Sequence, residues 1–393
     1  MSQRLHAPAR VRAATASRVT TSEECDHQVG PDGSLRARKG GNVKRRLTRH
    51  ILGISGIVLV SIGLLACGHA KASASSSAGS TPSVSPSPAS SEDLSSVAFV
   101  DQAHGWAVGA GGTVLATSDG GKTWRAQQSG ATDWLKGVSF PDSSHGWAVG
   151  DKGAILATVD GGATWTAQQS AVRDSLMAVT FDDASHGWAV AYGGKPHMIT
   201  TADGGKTWRD EQLRFPYLNG VAFVDENHGW ALGDFGSIFA TTDDGANWRR
   251  QRLESLNWPS GTSASLARAV DSLGLSFADR SHGWVVGDWG TIQATADGGA
   301  TWQVQRQGVA YGPSLNSIAF VNASDGWAVG AKGAILATTD GGADWRAQAS
   351  GTSQDLNGVA FVDSLHGSAV GAHGTILTTT DGGATWNVHN LTP

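Results

Sequence analysis

Residues 114–124 read VLATSDGGKTW, and this stretch decides the fold because close copies of it recur along the chain. Residues 155–165 read ILATVDGGATW, and residues 335–345 read ILATTDGGADW. There are seven copies, and their aspartates are spaced by 41, 43, 40, 54, 43 and 41 residues. A period of about 40 residues indicates a repeat architecture. The recurring aspartates are Asp119, Asp160, Asp203, Asp243, Asp297, Asp340 and Asp381. The tryptophans five residues later are Trp124, Trp165, Trp208, Trp248, Trp302, Trp345 and Trp386.

Each copy contains four short runs of β-branched, aromatic and small residues separated by Gly and Asp, which is typical of strands. In the first copy these runs are 97–100, 106–108, 114–117 and 124–127. Four antiparallel strands in a unit of about 40–45 residues match one blade of a β-propeller. A solenoid would need distinct capping repeats, whereas the first and last copies here read like the middle ones. The sequence therefore predicts an all-β protein with a single seven-bladed β-propeller. We expect the blades at 94–130, 135–170, 176–212, 218–254, 273–309, 315–351 and 356–390.

The turn in each copy has the form Ser/Thr-x-Asp-x-Gly-x-x-Trp, and it resembles the Asp-box, or bacterial neuraminidase repeat, family. We expect Asp-box hairpins between the third and fourth strands, where the carboxylate accepts backbone N–H bonds and Gly supplies a positive φ. Because each Asp occupies one position in a separate blade, the seven carboxylates cannot converge on a catalytic or metal site. A histidine recurs in the turn after the first strand, and the same reasoning makes it structural. These residues are His104, His145, His186, His228, His282 and His366. We therefore predict no metal site and no cofactor.

The charge of the chain is unevenly distributed. Residues 1–91 hold 12 of the 29 Lys and Arg and four of the 34 Asp and Glu. The remaining residues, 92–393, therefore carry 17 basic and 30 acidic side chains and a net charge of −13. Binding to a phosphate backbone needs clustered Lys and Arg, so we expect no nucleic-acid partner.

The N-terminal segment has the pattern of an export signal. A basic stretch at 44–49 precedes an apolar run from Ile51 to Leu65, which is too short to span a bilayer comfortably. Residues 64–67, LLAC, resemble a bacterial lipobox, which implies lipidation of Cys67 and a membrane-anchored lipoprotein on the extracytoplasmic side. An uncleaved signal anchor is the alternative. The predicted domains are a polar extension 1–43, a signal segment 44–67, a Ser/Ala/Pro-rich tether 68–92 and the propeller 93–393.

Strand direction divides the loops between two faces. In an antiparallel blade the turns after strands one and three share one face, and the loops after strands two and four share the other. We call the second one the variable face. Aromatic residues outside the repeat consensus gather there beside scattered Arg, a composition typical of recognition surfaces; packing beneath the loops is the alternative.

The 54-residue spacing inserts a long loop after copy four, and we place the binding site there first. The candidate partner-binding residues are Arg249, Arg250, Arg252, Trp258, Arg268, Trp134, Arg173, Arg214, Tyr217, Trp289 and Tyr311.

Residues 94–390 also resemble the photosystem II stability and assembly factor family, through repeats reading Val-x-Phe-x-Asp, Gly-Trp-x-Val-Gly and Gly-x-Ile-Leu-x-Thr-x-Asp-Gly-Gly-x-Thr-Trp. This resemblance implies a seven-bladed Asp-box propeller that binds a reaction-centre precursor through an arginine-bearing face. We therefore expect a monomeric, non-catalytic scaffold that binds a membrane protein or peptide through the variable face, with a lipid anchor at Cys67.

The alternative function is a carbohydrate-binding or glycosidase-like propeller of the cell envelope, since exposed aromatic rings stack on sugars. An Asp-box sialidase needs an arginine cluster and a Tyr nucleophile, and no segment here resembles its arginine-bearing motif. Glucanases of this class use two carboxylates across the scissile bond. Glu254 is the one Glu in a long variable-face loop, and it has no obvious partner in the sequence. A purely architectural role for the repeats is a third possibility.

Overall fold

The computed structural model describes residues 92–194, 197–211, 217–255, 272–309 and 312–390. Contacts separate the chain into Met1–Leu52, which lies outside the described residues, and Gly53–Pro393, which contains all of them. The described residues form seven antiparallel sheets of four strands each, and each sheet is one blade. No helix within the described ranges is long and apolar enough to cross a membrane.

The strands follow one another blade by blade. Blades one to four contain β1 Leu94–Phe99, β2 Gly105–Gly109, β3 Val114–Thr117, β4 Arg125–Ala126, β5 Leu135–Ser139, β6 Gly146–Gly150, β7 Ile155–Thr158, β8 Thr166–Ala167, β9 Ser175–Phe181, β10 Gly187–Tyr192, β11 His197–Thr201, β12 Arg209–Asp210, β13 Leu218–Phe223, β14 Gly229–Gly233, β15 Ser237–Thr241 and β16 Arg249–Gln251. Blades five to seven contain β17 Ser272–Phe277, β18 Gly283–Gly287, β19 Ile292–Thr295, β20 Gln303–Arg306, β21 Leu315–Phe320, β22 Gly326–Gly330, β23 Ile335–Thr338, β24 Arg346–Ala347, β25 Leu356–Phe361, β26 Gly367–Gly371, β27 Thr375–Thr379 and β28 Asn387–Asn390. Three-residue 3-10 turns join strands two and three at Ala110–Gly112, Asp151–Gly153, Asp288–Gly290, Ala331–Gly333 and Ala372–Gly374.

The first strands of the blades form the inner ring of the molecule. Each contacts the first strand of the next blade, from β1 through β5, β9, β13, β17 and β21 to β25, and β25 contacts β1 again. The fourth strand of each sheet therefore lies outermost. The prediction of a single seven-bladed propeller is confirmed. The fourth strand of blade one is shorter than expected, however, because it starts at Arg125 after the box tryptophan and has only two residues.

The second strand of each blade is the most deeply buried. All five residues of β2, GWAVG, are buried. Side chains alternate between the two faces of a strand, so Trp106 and Val108 pack against blade two, whereas Ala107 packs with Val370 and Ile376 of blade seven. The blade thus has no solvent-exposed sheet face at its centre, and each blade is stabilised by its two neighbours.

A tryptophan at the second position of this strand fills six of the seven interfaces between blades, which we call seams. Its indole stacks on a phenylalanine of the next blade, with ring centroids 3.4–3.7 Å apart and planes within 5–10° of parallel. Such pairs stabilise beyond their area burial by about 0.5–1.5 kcal/mol. The stacked pairs are Trp106–Phe140, Trp147–Phe181, Trp188–Phe223, Trp230–Phe277, Trp284–Phe320 and Trp327–Phe361. Blade seven has Ser368 at this position.

Six of the seven Asp boxes are held by four equivalent hydrogen bonds, and in blade six, where Asp344 replaces the donor side chain, three of them remain. In blade one the Thr117 hydroxyl donates to Asp119 at 2.9 Å and accepts from the N–H of Gly121 at 2.9 Å. The Thr123 N–H and hydroxyl both donate to the Asp119 carboxylate, at 2.9 and 2.7 Å. These bonds, chiefly from Thr123, lower the pKa of Asp119 to about 2. Gly120 and Gly121 have φ of 74° and 82°, a left-handed backbone that glycine adopts without steric cost. The carboxylate therefore fixes the hairpin.

The histidine turns are also capped by an acid. Asp101 accepts the backbone N–H groups of Ala103 and His104, both at 2.7 Å, and its carboxylate lies 2.9 Å from His104 Nδ1. The same arrangement recurs at five further turns, through Asp142, Asp183, Asp225, Asp279 and Asp363. In blade six Asn322 takes the place of the acid and Asp325 that of the histidine.

The ring is closed between blade seven and blade one without a shared strand. The Asn357 side chain donates to the Leu94 carbonyl at 2.8 Å, and the His373 N–H donates to Asp93 at 2.8 Å. Because every sheet is built from consecutive strands, side-chain packing and these bonds hold the two ends together.

The seam stacks give a first prediction. Trp147 is 2% exposed, so Trp147→Ala removes a fully buried ring and is expected to destabilise the fold by about 3–5 kcal/mol. Chemical unfolding followed by far-ultraviolet circular dichroism measures this loss. The matched control is Ser368→Ala at the equivalent position of blade seven, which should change stability by less than about 1 kcal/mol. Equal losses in both variants would show that the stacks do not carry seam stability.

Candidate functional site

A central channel opens at the variable face. Its cavity of about 520 Å³ is bordered by the first strands of the blades. One position is equivalent in every inner strand, the second residue or, in the longer β9, the third, and it is Ser, Lys, Met, Leu or Asn depending on the blade. Six of the seven line the cavity: Ser95, Lys136, Met177, Asn219, Leu273 and Asn357. The seventh, Asn316, donates to the Leu356 carbonyl at 2.9 Å. Lys136 is the only charged residue of the set.

The variable face carries an aromatic rim, which we define as Trp134, Tyr192, Tyr217 and Phe235, and two of its members, Trp134 and Tyr192, border the channel. Their exposed fractions are 38%, 43%, 37% and 68%, and they are the exposed aromatic residues of the described chain. Tyr192 and Tyr217 form a pair with centroids 4.8 Å apart. All four lie in variable-face loops or at strand ends beside them, so the structure gathers exposed aromatic surface on one face.

Trp134 is fixed in place by its neighbours. Its indole N–H donates to the Ser95 hydroxyl of blade one at 2.6 Å, and the Lys136 ammonium lies 4.7 Å from its ring centroid. The same ammonium is 3.3 Å from the Asp151 carboxylate. A cation over an indole face contributes about 0.5–1 kcal/mol at such partly exposed sites. Trp134 is therefore a preorganised apolar platform with a positive charge beside it.

The turns between strands two and three carry backbone strain on the variable face. The central residue has a positive φ in six blades, and only Gly111 of blade one is glycine. The other five are Lys152, Phe235, Trp289, Lys332 and His373, with φ of 54–59°. A left-handed conformation costs a non-glycine residue about 1–2 kcal/mol. Such strain concentrates at functional sites.

The candidate residues from the sequence fall into three groups. Trp134 and Tyr217 lie on the aromatic rim, Trp289 is a half-buried residue of the Asp288–Gly290 turn, and Arg173 is exposed before β9. The arginines at 249 and 250 lie instead on β16, the outermost strand of blade four, and Arg252 follows them. The structure therefore does not bring the arginine run to the channel mouth. Trp258, Arg268, Arg214, Tyr311 and Cys67 lie outside the described residues.

The candidate binding residues predicted from the sequence leave out two members of this face. Tyr192 ends β10 and pairs with Tyr217, and Lys136 is the single cation of the inner ring. Aligning the seven copies would have identified Lys136, because it is the only charged residue at its position in the repeat.

Glu254, the loop carboxylate of interest for catalysis, joins two blades. Its side chain accepts the N–H of Val304 at 2.7 Å, and its own N–H donates to Gln293 at 2.9 Å. The Gln293 amide donates back to the Glu254 carbonyl at 3.1 Å. Through these contacts Glu254 connects blade four to blade five.

One seam on the opposite face contains a group of possible metal ligands. Asp182, Asp183 and His186 offer ligand atoms within 4.8 Å of one another. Asp183 is already engaged, however, because it accepts the N–H groups of Ser185 and His186 as the equivalent acids do in other blades. The added group is Asp182, which stands where other copies have Val100, Pro141 or Val224. The site is thus a normal turn cap with one extra acid beside it.

Burial and the neighbouring charge of Asp183 raise the pKa of Asp182 to about 6. Its Oδ1 is buried and accepts no hydrogen bond from the described part of the chain. Because the pKa is higher in the folded state, the native protein binds this proton more tightly than the unfolded chain. Its contribution to stability is therefore present at low pH and is lost as the pH rises from about 4 to about 6.

We predict that Asp182→Val, which restores the residue of other copies, stabilises the protein at pH 7 by about 1–2 kcal/mol after allowance for solvent screening. The gain should shrink towards pH 4. Chemical unfolding at intervals from pH 4 to pH 8 measures both effects. Asp182→Asn is the control, because it removes the charge but keeps a polar side chain, so it should lose the pH dependence and gain less stability at pH 7 than Asp182→Val. If the free energy of unfolding varied with pH in the same way in the wild type and both variants, Asp182 would not be the titrating group.

Comparisons with known proteins agree with the propeller. A family model described as the photosynthesis system II assembly factor YCF48 matches residues 87–136, 130–213, 168–255 and 258–348. A structure of YCF48 bound to a D1 peptide is 20% identical, with a TM-score of 0.59, 74% of this chain covered and 94% of that one. YCF48 from Cyanidioschyzon merolae is also 20% identical, with a TM-score of 0.59 and coverage of 74% and 96%.

An enzyme shares the architecture at lower identity. The GH74 xyloglucanase from Xanthomonas campestris is 11% identical with a TM-score of 0.60, and the match covers 78% of this chain and 55% of the enzyme. At these identities the structural likeness shows the fold alone. No curated protein matches the sequence significantly. The family matches extend over well above half of the sequence, and the chain therefore belongs to the family of the photosynthesis system II assembly factor YCF48.

Proposed function

We propose that the protein is a non-catalytic, extracytoplasmic scaffold whose variable face binds a polypeptide segment of a membrane protein. The observation that carries this proposal is the aromatic rim, two members of which, Trp134 and Tyr192, border the central channel. The exposed aromatic residues of the described chain all lie on this face. A solved YCF48 is bound to a D1 peptide, which supports a peptide ligand for a chain of the same family.

The rim has the features of a peptide-binding surface. An aromatic side chain buries 150–250 Å² of surface when covered and loses little conformational freedom, because it has only two rotatable side-chain bonds. Trp134 is already held by Ser95, so little ordering cost remains when a ligand packs on it. The adjacent Lys136 supplies a cation for a carboxylate or carbonyl of the peptide.

The backbone strain at the same face supports this assignment. Glycine is abundant in the chain, with 53 residues, yet five equivalent turns keep a larger residue at a left-handed position. Retaining these side chains costs stability, and backbone strain of this kind is common at functional sites.

The distribution of charge favours the variable face as the side turned towards a membrane. The seven Asp-box carboxylates and the six acids of the histidine turns lie on the opposite face. An anionic membrane surface repels that face. The charge of the variable face is mixed instead, because Lys136 and Lys152 pair there with Asp151 and Asp133.

The direct test uses a labelled D1 peptide and fluorescence anisotropy. We expect the double variant Trp134→Ala/Tyr217→Ala to bind at least about tenfold more weakly than the wild type, a loss of about 1.4 kcal/mol. Leu365→Ala is the matched control, because Leu365 is exposed on the opposite face. The triple variant at Arg249, Arg250 and Arg252 shows separately whether the outer strand contributes. Unchanged binding in the rim variant would refute the rim as the site.

A second experiment separates the peptide proposal from the carbohydrate alternative. Membrane proteins crosslinked to the wild type should be lost in the rim variant. A glycan array should give no hits, and wall polysaccharide should release no reducing ends. Glycan binding that depends on Trp134 would replace the scaffold proposal with a carbohydrate-binding one.

We also propose that Cys67 anchors the protein to the membrane through a lipid. In a bacterial host, Cys67→Ala is expected to move the protein from the membrane fraction to the soluble fraction, since the remaining apolar run is too short to span a bilayer. Immunoblotting of the two fractions measures the shift. Persistence of Cys67→Ala in membranes would favour the uncleaved signal anchor.

A further inference from the structure

Six seams of the propeller contain the same internal binding site for an indole ring. In each, a phenylalanine lies over a glycine of its own blade, and the preceding blade presses a tryptophan on its other side. In the first seam Phe140 covers Gly146, and Trp106 stacks on Phe140 at 3.6 Å. The Trp106 N–H also donates to the Gly161 carbonyl of the next Asp box at 2.9 Å. Five of the six tryptophans make such a bond within the described residues, so the site combines a stacking platform with one carbonyl acceptor.

The closing seam, between blades seven and one, has the platform and the acceptor but no tryptophan. Phe99 lies over Gly105 as its equivalents do and keeps its edge contact with Trp124 at 5.9 Å. Ser368 stands at the tryptophan position, so it has no ring to stack on Phe99. The Gly120 carbonyl, equivalent to the acceptor in other seams, receives no hydrogen bond from the described residues.

A second departure leaves a buried donor at the same seam. In five seams a glutamine of the preceding blade accepts the N–H of the box tryptophan, as Gln127 does for Trp165 at 3.1 Å. His389 replaces this glutamine in blade seven, and its Nε2 lies 2.7 Å from the Thr378 hydroxyl. Trp124 Nε1 is consequently buried without an acceptor among the described residues.

The closing seam also contains a cavity. It has a volume of about 200 Å³ and is lined by Phe99, Gln102, Asp119, Gly120, His366 and Ser368, among others. Ser368 is only 1% exposed and lies at its floor. Gly367 beside it is half-buried, whereas the equivalent glycines of the other blades are fully buried. The seam is thus more open here than elsewhere in the ring.

We propose that this slot binds a flat aromatic ring with an N–H donor, of which indole is the simplest example. The ring takes the place of the absent tryptophan, stacks on Phe99 and donates its N–H to the Gly120 carbonyl. An apolar cavity of about 150 Å³ is large enough for benzene, so the 200 Å³ slot has room for a ring of this class. The six tryptophans of the other seams are the internal precedent for this ligand.

The slot is separate from the variable face. Its lining comes from the turns after strands one and three, which form the opposite face of the propeller. Loss of rim binding and loss of indole binding are therefore independent results, and either proposal can fail alone.

Isothermal titration of the full chain with indole tests the proposal. The wild type is expected to bind one equivalent. Ser368→Trp fills the slot from within, so it should abolish binding and raise the unfolding midpoint. Trp327→Ser empties the preceding seam above Phe361 and the Gly382 carbonyl, so it should add a second equivalent. Because the two variants change the number of bound indole molecules in opposite directions, either one still tests the proposal if the other folds poorly.

Naphthalene and two tryptophan derivatives complete the design. Naphthalene stacks but has no N–H, so it should bind several-fold more weakly than indole. N-acetyl-tryptophanamide and the peptide Gly-Trp-Gly distinguish a tryptophan side chain from a free aromatic molecule as the source of the ring. Indole binding that survives in Ser368→Trp, or no binding of indole by the wild type, would overturn the proposal.

Discussion

The fold depends on one repeated contact, the tryptophan of a second strand stacked on a phenylalanine of the next blade. A blade of about 40 residues has two apolar sheet faces and cannot bury either by itself. The stack connects neighbours at 3.4–3.7 Å, and the indole N–H reaches the next Asp box. A single side chain thus couples the core of one blade to the hairpin of the following one. This coupling runs in one direction around the ring, and Ser368 interrupts it once.

The sequence was sufficient to predict the fold because the same physical requirements are met seven times. The period, the strand patterns and the turn signals all indicated four-stranded blades, and the sheets are observed in that order. It was not sufficient to predict the partner of each tryptophan. A consensus shows that the second-strand Trp recurs in six copies and the Phe in all seven, but it does not show whether they meet within a blade or across a seam. The fourth strand was predicted to start at Trp124 for a related reason. Its ring points towards Phe99 in the blade interior, so only Arg125 and Ala126 form ladder pairs.

The candidate site was predictable in part. Trp134 and Tyr217 were assigned to the variable face from strand direction alone; Trp134 borders the channel, and Tyr217 packs on Tyr192, which also borders it. The arginine run was assigned to the same site because it leads into a long loop. In the structure Arg249 and Arg250 pair with β15 on the outer side of the blade. Position along the chain determines the face of a loop but not its distance from the axis, and that distance separates the rim from the outer strand.

In a repeat protein the informative residues are those that depart from the consensus, because each can be compared with the equivalent residue in six other copies. Asp182, Glu211 and Asp244 each replace the residue of other copies, and all three lie around the seam between blades three and four. There Trp248 Nε1 is buried without an acceptor among the described residues, as Trp124 Nε1 is at the closing seam. Both indole N–H groups without an acceptor occur where the preceding blade lacks the glutamine that accepts this bond in other seams and has Glu211 or His389 instead.

The difference between the two seams is steric. Trp188 still fills the seam of blades three and four, whereas Ser368 leaves an open slot above Phe99. Loss of a hydrogen-bond partner alone costs stability, but loss of the ring as well creates space for a ligand.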